Sequence, residues 1–399
     1  MRESPAELNP RNSRKDKARK LLIRSTLLII GLLAIAAPAG LSTIAQAPAA
    51  VSVERVVVAP GATYFHLSRT TPAGEPWSIH VLELGRREKS IRLQAIEGRG
   101  PHDQMQRELP TALAARAVAA GEDVLAVVNG DYDLAIPHMG IPDGLSVTSG
   151  RLWTTGKPHW PALGVTDKGE PLIDVPSVEI VLGTGKQRWS IAALNKPLGS
   201  PHGTGLRVFT REFRPAVEST QSFAGVVIGK LVPMLPLRAG RTVRGTVLRS
   251  VEREARVEIP AGALILVQPT PAIPDERALS LATLRPGQRV KLQFRVSLTG
   301  REKIREAIGG FPILVRDGRV SLTGTPSEYL RRRHPRTAAC YSTSKIIFVV
   351  VDGRQPKLSV GMTLEELAEL MVSLGCTVAM NTDGGGSSSW KYTASPSFA

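Results

Sequence analysis

Cysteine is close to absent from this 399-residue chain, which holds only Cys340 and Cys376. No CxxC pair and no His/Cys cluster accompanies them, which argues against a zinc site. Aromatic residues are scarce too, at 5%. There is no basic stripe interleaved with aromatics and no nucleic-acid module, so nucleic acid is the weakest partner. Acidic side chains are in deficit, 35 against 51 Lys and Arg, for a net charge of +16. Such an excess favours polyanions, here anionic lipid or an anionic cell-wall polymer. The apolar stretch Leu21 to Ala39 is broken by Arg24 and is marginal for the ~20 residues of a spanning helix.

The remaining composition, 42% hydrophobic and 22% charged, is that of a globular protein. The length allows roughly two domains. Eight Lys and Arg fall within residues 1–24, and the apolar core Ser25 to Ala37 and Ala45-Gln46-Ala47 follow. This is a secretory signal pattern, with Pro48 disfavouring cleavage. Residues 1–47 therefore read as a signal peptide or an uncleaved membrane anchor, and the protein as extracytoplasmic. Export permits a Cys340–Cys376 disulfide; two small buried thiols are the alternative, and the one we favour.

Local patterns near the carboxyl end define a candidate site. Ile346 to Val351 is a continuous β-branched and aromatic run, the mark of a buried strand. Thr363 and Glu366 form a capping box, and Leu364, Leu367, Ala368, Met371 and Leu374 share one helical face. Gly375 stops the helix, and Thr377 to Met380 is a second short strand. A strand–helix–strand unit predicts two parallel strands, with Asp352 and Asn381 at the same carboxyl edge. Thr111 to Ala120, Gly121 and Val124 to Val128 repeat the pattern and lead to Asn129-Gly130-Asp131-Tyr132-Asp133. This is either a duplication or a common unit met twice. A shared sheet would gather Asp131, Asp352 and Asp383.

The middle differs. Val178–Leu182, Gly205–Thr210, Gly225–Val232, Thr242–Val247, Ala263–Val267 and Arg289–Val296 are short apolar runs between Gly and Pro turns, which predicts antiparallel β structure. Gln268 to Arg277 reads as an exposed loop, and Asn195 and His202 show no clear partners. The expected fold class is α+β: an α/β core with parallel strand–helix–strand units, interrupted by an inserted, mainly antiparallel β region. The expected domains are 52–165 and 301–399 as two halves of the core, with 166–300 inserted.

Several motifs together carry a resemblance. They are Asn129-Gly130-Asp131-Tyr132, Ile308-Gly309-Gly310-Phe311-Pro312 with Asp317-Gly318, and His334-Pro335-Arg336-Thr337-Ala338. Val351-Asp352-Gly353-Arg354, Ser359 to Leu364 and Asn381-Thr382-Asp383-Gly384-Gly385-Gly386-Ser387-Ser388 complete the set. In that order, over about 80–165 and 300–390, they resemble the phosphodiester glycosidase family. The resemblance implies hydrolysis of a sugar-1-phosphodiester to sugar and phosphomonoester, in exopolysaccharide or cell-wall metabolism. Two departures stand out. The family continues past Ser388 through another apolar strand where this chain reads Trp390 to Ala399, which places activity in question. Asp133 stands where many members carry Phe then Asn.

Each motif has a bland and a functional reading. Asn381 to Ser388 is a flexible turn, or an anion nest in which Asn381, Gly384, Gly385, Gly386 and Ser387 hold phosphate. Asp383 is the first candidate for a catalytic carboxylate or metal ligand. Asp352 and Arg354 form a surface turn, or supply a second carboxylate and a phosphate clamp. Arg331 to Arg333 is a solvated basic run; Arg336 beyond it is the best phosphate ligand. His334 is a general acid or base, or a structural histidine. Asn129, Asp131 and Asp133 make an Asx turn, or offer oxygens to Ca2+ or another divalent cation. Gly310 shapes a loop beside Phe311, a sugar contact or a core residue. The expected partner is a sugar phosphate or anionic glycopolymer. The alternatives are a non-catalytic binder of an anionic polymer and a membrane-anchored assembly factor.

Overall fold

The computed structural model describes residues 52–198, 205–269, 281–300, 302–322 and 332–392. The amino-terminal segment 1–47, His202 and most of the Gln268–Arg277 loop lie outside them. No helix among the described residues is long and apolar enough to cross a membrane.

The expected α/β core is not what forms. Strands dominate, and the described residues hold two α-helices, Pro110–Ala119 and Leu364–Ser373. An eight-stranded sheet carries the carboxyl-terminal motifs. Its order is Ser52–Ala59, Ala62–Thr70, Pro76–Gly85, Lys345–Val351, Arg336–Tyr341, Val378–Asn381, Ile313–Arg316 and Arg319–Val320. Every neighbouring pair in it is antiparallel.

The reason for the departure is local. Arg336–Tyr341 turns back on Lys345–Val351 as a hairpin and also pairs with Val378–Asn381. It thus lies between the two strands that flank the helix. Those two strands run the same way but never touch. Their carboxyl ends, and the amino end of the Arg336 strand, still open on one edge. Ala126–Val128 is not in this sheet. It pairs with Trp390–Tyr392, the first residues of the segment that departs from the family pattern.

A second eight-stranded sheet is built wholly from residues 177–297. It lies in sequence between the last two strands of a five-stranded sheet, Pro171–Asp174 and Ile304–Gly309. The second sheet is antiparallel apart from the Ala193–Leu194 and Arg207–Phe209 pair. Asn195 is buried and has partners: its Nδ2 donates to Trp153 O at 2.8 Å and to Thr210 Oγ1 at 3.0 Å.

One face of the first sheet is closed by the second helix. The capping box forms, with Glu366 N donating to Thr363 Oγ1 at 3.1 Å and Thr363 N to Glu366 Oε2 at 2.9 Å. Leu364, Leu367, Ala368 and Met371 then pack on Ala338, Ile347, Val349 and Val351. Each large apolar side chain so buried contributes about 1.5–3 kcal/mol. Cys340 and Cys376 lie in this core joined as a disulfide, with Cα atoms 5.8 Å apart, which corrects the expectation of two separate thiols.

Candidate active site

The site forms where the Asn129 loop meets the open edge of the first sheet. Asn129 Nδ2 donates to the Asp383 carbonyl at 2.9 Å. Its Oδ1 accepts from Thr337 Oγ1 at 2.8 Å and from Ser389 N at 3.1 Å. Asp383 N in turn donates to Gly130 O at 2.8 Å. The two Asn-x-Asp motifs are therefore stitched backbone to backbone, although their strands belong to different sheets.

Asp383 is half-buried, and its pKa is raised. Loss of water around the carboxylate is the main cause, and the Asp133 charge adds to it. Ser387, the Gly384 amide (2.7 Å) and the Arg107 charge oppose the shift. Arg107 grips Asp133 through Nε at 2.6 Å and Nη2 at 2.7 Å, a bidentate pair that raises its own pKa. Its guanidinium is mostly exposed and within electrostatic reach of Asp383.

Asp131 and Asp133 turn away from each other. Asp131 accepts from Gly144 N at 2.5 Å and Trp160 Nε1 at 3.1 Å, whereas Asp133 accepts from Arg107 and from Gly140 N at 2.6 Å. Asn129 is spent on Asp383, Thr337 and Ser389. The expected Ca2+ set of Asn129, Asp131 and Asp133 does not converge. Among the described residues no group of three His, Cys, Asp or Glu is placed to hold a metal. The donors do not fit a divalent ion, because each is already satisfied by an N–H or a guanidinium. Asp131 is pushed up to about 7 by burial, with the Trp160 and Gly144 donors acting the other way. Lys196, fully buried nearby, is pushed down by burial and donates to the Pro142 and Asp143 carbonyls.

Asn381 is fully buried. Its Nδ2 lies 2.9 Å from Tyr132 Oη and 2.8 Å from Phe311 O. Gly310 is required here: a Cβ on it would stand 2.5 Å from Asn381 O. Phe311 stacks on Trp160 with ring centroids 4.9 Å apart, and Tyr132 meets Trp160 edge-on at 5.8 Å. These three rings, all partly exposed, cluster beside the Asp131 loop.

The glycine-rich turn is less open than an anion nest. Gly384 N donates to Asp383 Oδ1, Gly385 N to Pro335 O, Ser387 N to Gly384 O and Ser388 N to Gly385 O. Arg336 is fully buried, with Nε on Met362 O and Nη2 on Arg332 O, both at 2.9 Å. Its guanidinium braces the loops beneath the site. Arg333 is no mere solvated charge: it bridges Glu366 (2.6 Å) and Glu75 (2.5 Å). His334 Nδ1 lies 3.2 Å from Arg354 Nη2.

Asp352 faces a cluster with no counterpart in the sequence reading. Ser78 Oγ donates to its Oδ2 at 2.7 Å, and His80 Nε2 lies 3.0 Å from the same oxygen. Tyr64 Oη lies 2.8 Å from His80 Nδ1, and His66 Nε2 lies 3.0 Å from Ser78 Oγ. The two imidazoles stack at 4.9 Å. The His80 hydrogen bond is the main reason the Asp352 pKa is lowered, so Asp352 stays ionised. His80 pairs with Val350, and Val350 with Thr337. That sets His80 two strands, ~10 Å, from the residue that holds Asn129. The lost signal was a hairpin: Ala62–Thr70 and Pro76–Gly85 flank a Pro-Ala-Gly turn, and their register sets His66 opposite His80. Arg107 and Lys196 gave no sequence signal.

Residues 241–398 match the phosphodiester glycosidase family. The family is one of hydrolases acting on phosphodiester glycosides. The match starts within the β-rich region and takes in Arg336, Asp352, Asn381 and Asp383, but not the Asn129 loop. Among solved structures, a hypothetical protein from Synechocystis is similar at a TM-score of 0.67 and 18% identity, over 86% of this chain. This chain spans 60% of that protein's length. A Burkholderia pseudomallei protein is similar at a TM-score of 0.62 and 17% identity, over 86% of this chain and 92% of that one. At these identities the likeness concerns the fold alone. The catalytic domain of zebrafish N-acetylglucosamine-1-phosphodiester alpha-N-acetylglucosaminidase, auto-inhibited by its pro-peptide, aligns with 86% of this chain and 79% of its own. Its TM-score of 0.42 and 14% identity carry no argument. No curated protein matches the chain.

Proposed function

We propose that the phosphodiester glycosidase domain, completed by the Asn129 loop, hydrolyses a sugar-1-phosphodiester outside the cytoplasm. The observation that carries this reading is the tie between Asn129, Thr337 and Asp383, which holds one half-buried carboxylate at the sheet edge. The Cys340–Cys376 disulfide supports an oxidising compartment.

The chemistry asks little of a proton donor, because a phosphate leaves readily. The anomeric C–O bond breaks, the phosphomonoester departs with its electron pair, and water supplies the hydroxyl that ends on the sugar. Asp383 serves the anomeric carbon, as nucleophile or as base for that water. Arg107, steadied by Asp133, balances the charge of the departing oxygens. Trp160 and Phe311 offer a face to the sugar ring. Asp352 and Tyr64 occupy both ring nitrogens of His80, so this cluster braces the strands beside the site.

The test is turnover by the purified chain of UDP-N-acetylglucosamine and of a synthetic sugar-1-phosphodiester, followed as free sugar and phosphomonoester. Sugar release that disappears in Asp383→Asn is expected. A folded wild type that releases no sugar from either substrate, or an Asp383→Asn variant as active as wild type, sinks the reading.

A further inference from the structure

The second eight-stranded sheet has one apolar face and one that the proposed hydrolysis does not use. Ile180, Leu182, Val243, Val290, Leu292 and Phe294 point into the core. The alternate residues line an open cleft of about 610 Å3 on the other face. Five cations, Arg188, Lys230, Arg244, Arg289 and Lys291, line it, and all five are exposed. No Asp, Glu or aromatic residue is among the lining residues.

The strand register sets these charges in a pattern. Lys291 pairs directly with Arg244 on one side and with Gly183 on the other, and Gly183 pairs with Arg188. Arg188, Lys291 and Arg244 thus stand in one transverse row. Neighbours on adjacent strands are ~5 Å apart, and Arg289, two residues before Lys291, is ~7 Å along the strand. Like charges set directly opposite across a sheet destabilise it. Among the described residues none of the five is neutralised by an ion pair, whereas Arg295 on the same strand meets Glu179 at 2.6 Å. Lys230 sits at a break in register between Gly229 and Val232, with φ of 51°. Such bulges re-aim a side chain, here into the cleft.

We propose that this face binds a polyanionic chain whose phosphates repeat along its backbone, a phosphodiester-linked glycopolymer in chemistry. The charge spacing suits successive backbone phosphates. Without an aromatic platform the cleft lacks the stacking that single-stranded nucleic acid uses. Lys291 and Arg244 stand side by side in the cleft, within reach of one polyanionic chain. The proposal stands independently of hydrolysis at the other sheet.

The test uses the full chain and end-labelled inorganic polyphosphate, read by fluorescence anisotropy over a salt series. The wild type binds with an affinity that falls steeply with salt. In Arg244→Gln/Lys291→Gln the slope of log K against log salt falls by about 2, and low-salt affinity drops at least tenfold, roughly. Arg188→Gln, on a separate strand, lowers the slope by about 1. A control double variant, Lys168→Gln/Arg319→Gln, removes the same charge elsewhere and changes affinity less than about twofold. Circular dichroism and melting verify that each variant folds. Four results overturn the proposal: no wild-type binding, equal losses in both double variants, tighter binding of single-stranded DNA of equal charge, or capture by phosphatidylglycerol vesicles without polyphosphate binding.

Discussion

Asn129 and Asp383 lie 254 residues apart, yet the Asn129 side-chain amide donates to the Asp383 carbonyl at 2.9 Å. The same side chain accepts from Thr337 and Ser389, so one amide sets the distance between three segments. Asn129→Ala leaves those partners unsatisfied. It is expected to lower stability by about 1–3 kcal/mol and to lower kcat. Chemical denaturation and turnover measured together check this; unchanged values for both would show that the tie is idle.

Asp383 has its pKa raised, chiefly by burial, and the site needs its ionised form. Activity therefore falls as pH falls through that raised value, so the acid limb lies above the ordinary aspartate pKa of about 3.9. The sign for stability is opposite to that of a stabilised carboxylate, since ionising Asp383 costs folding energy. Asp383→Asn should then melt no lower than wild type at neutral pH while losing ~10³-fold or more in kcat. A pH–rate profile and a melting curve decide it.

Asp352 behaves the other way. Its lowered pKa stabilises the fold above the unfolded value of about 3.9, and that contribution is lost as pH falls through the folded value. His80→Ala removes the main cause of the shift. The variant should lose part of the stability advantage of neutral over acid pH. Both His80 ring nitrogens are engaged, on Asp352 and on Tyr64, so kcat should change little. A uniform loss of stability at every pH would show that His80 does not set the Asp352 shift.

The Cys340–Cys376 disulfide closes a loop of sequence separation 36 inside the helix-covered core. The chain-entropy relation gives about 4 kcal/mol for a loop of that size. Melting with and without reductant should show a clear drop, and Cys340→Ala/Cys376→Ala should match the reduced protein. Equal midpoints in both conditions would deny the bond a role in stability.

Much of the local structure was legible. The capping box at Thr363, the helical stripe of Leu364, Leu367 and Met371, and the strand Lys345–Val351 follow from periodicity and capping chemistry. The apolar runs of residues 178–296 likewise fall on strands, with Gly205, Leu206, Thr210 and Ala263 just outside them. The class of the core was misread at one point. The Arg336 strand folds back between its neighbours, and pairing partners across a sheet leave no local trace.

By itself, the sequence determined which segments are strands and helices, which acids and cations stand at their ends, and the family motifs they spell. Those features depend on residues a few positions apart, within reach of propensity and periodicity. Only the tertiary structure decided that Arg336 is buried under the site and that Asp133 is taken by Arg107. The same holds for the meeting of His80 with Asp352 and for the row of cations on the second sheet. Each of those outcomes is set by register and burial between segments far apart in the chain, where a side chain's role is fixed by the neighbours it is folded against.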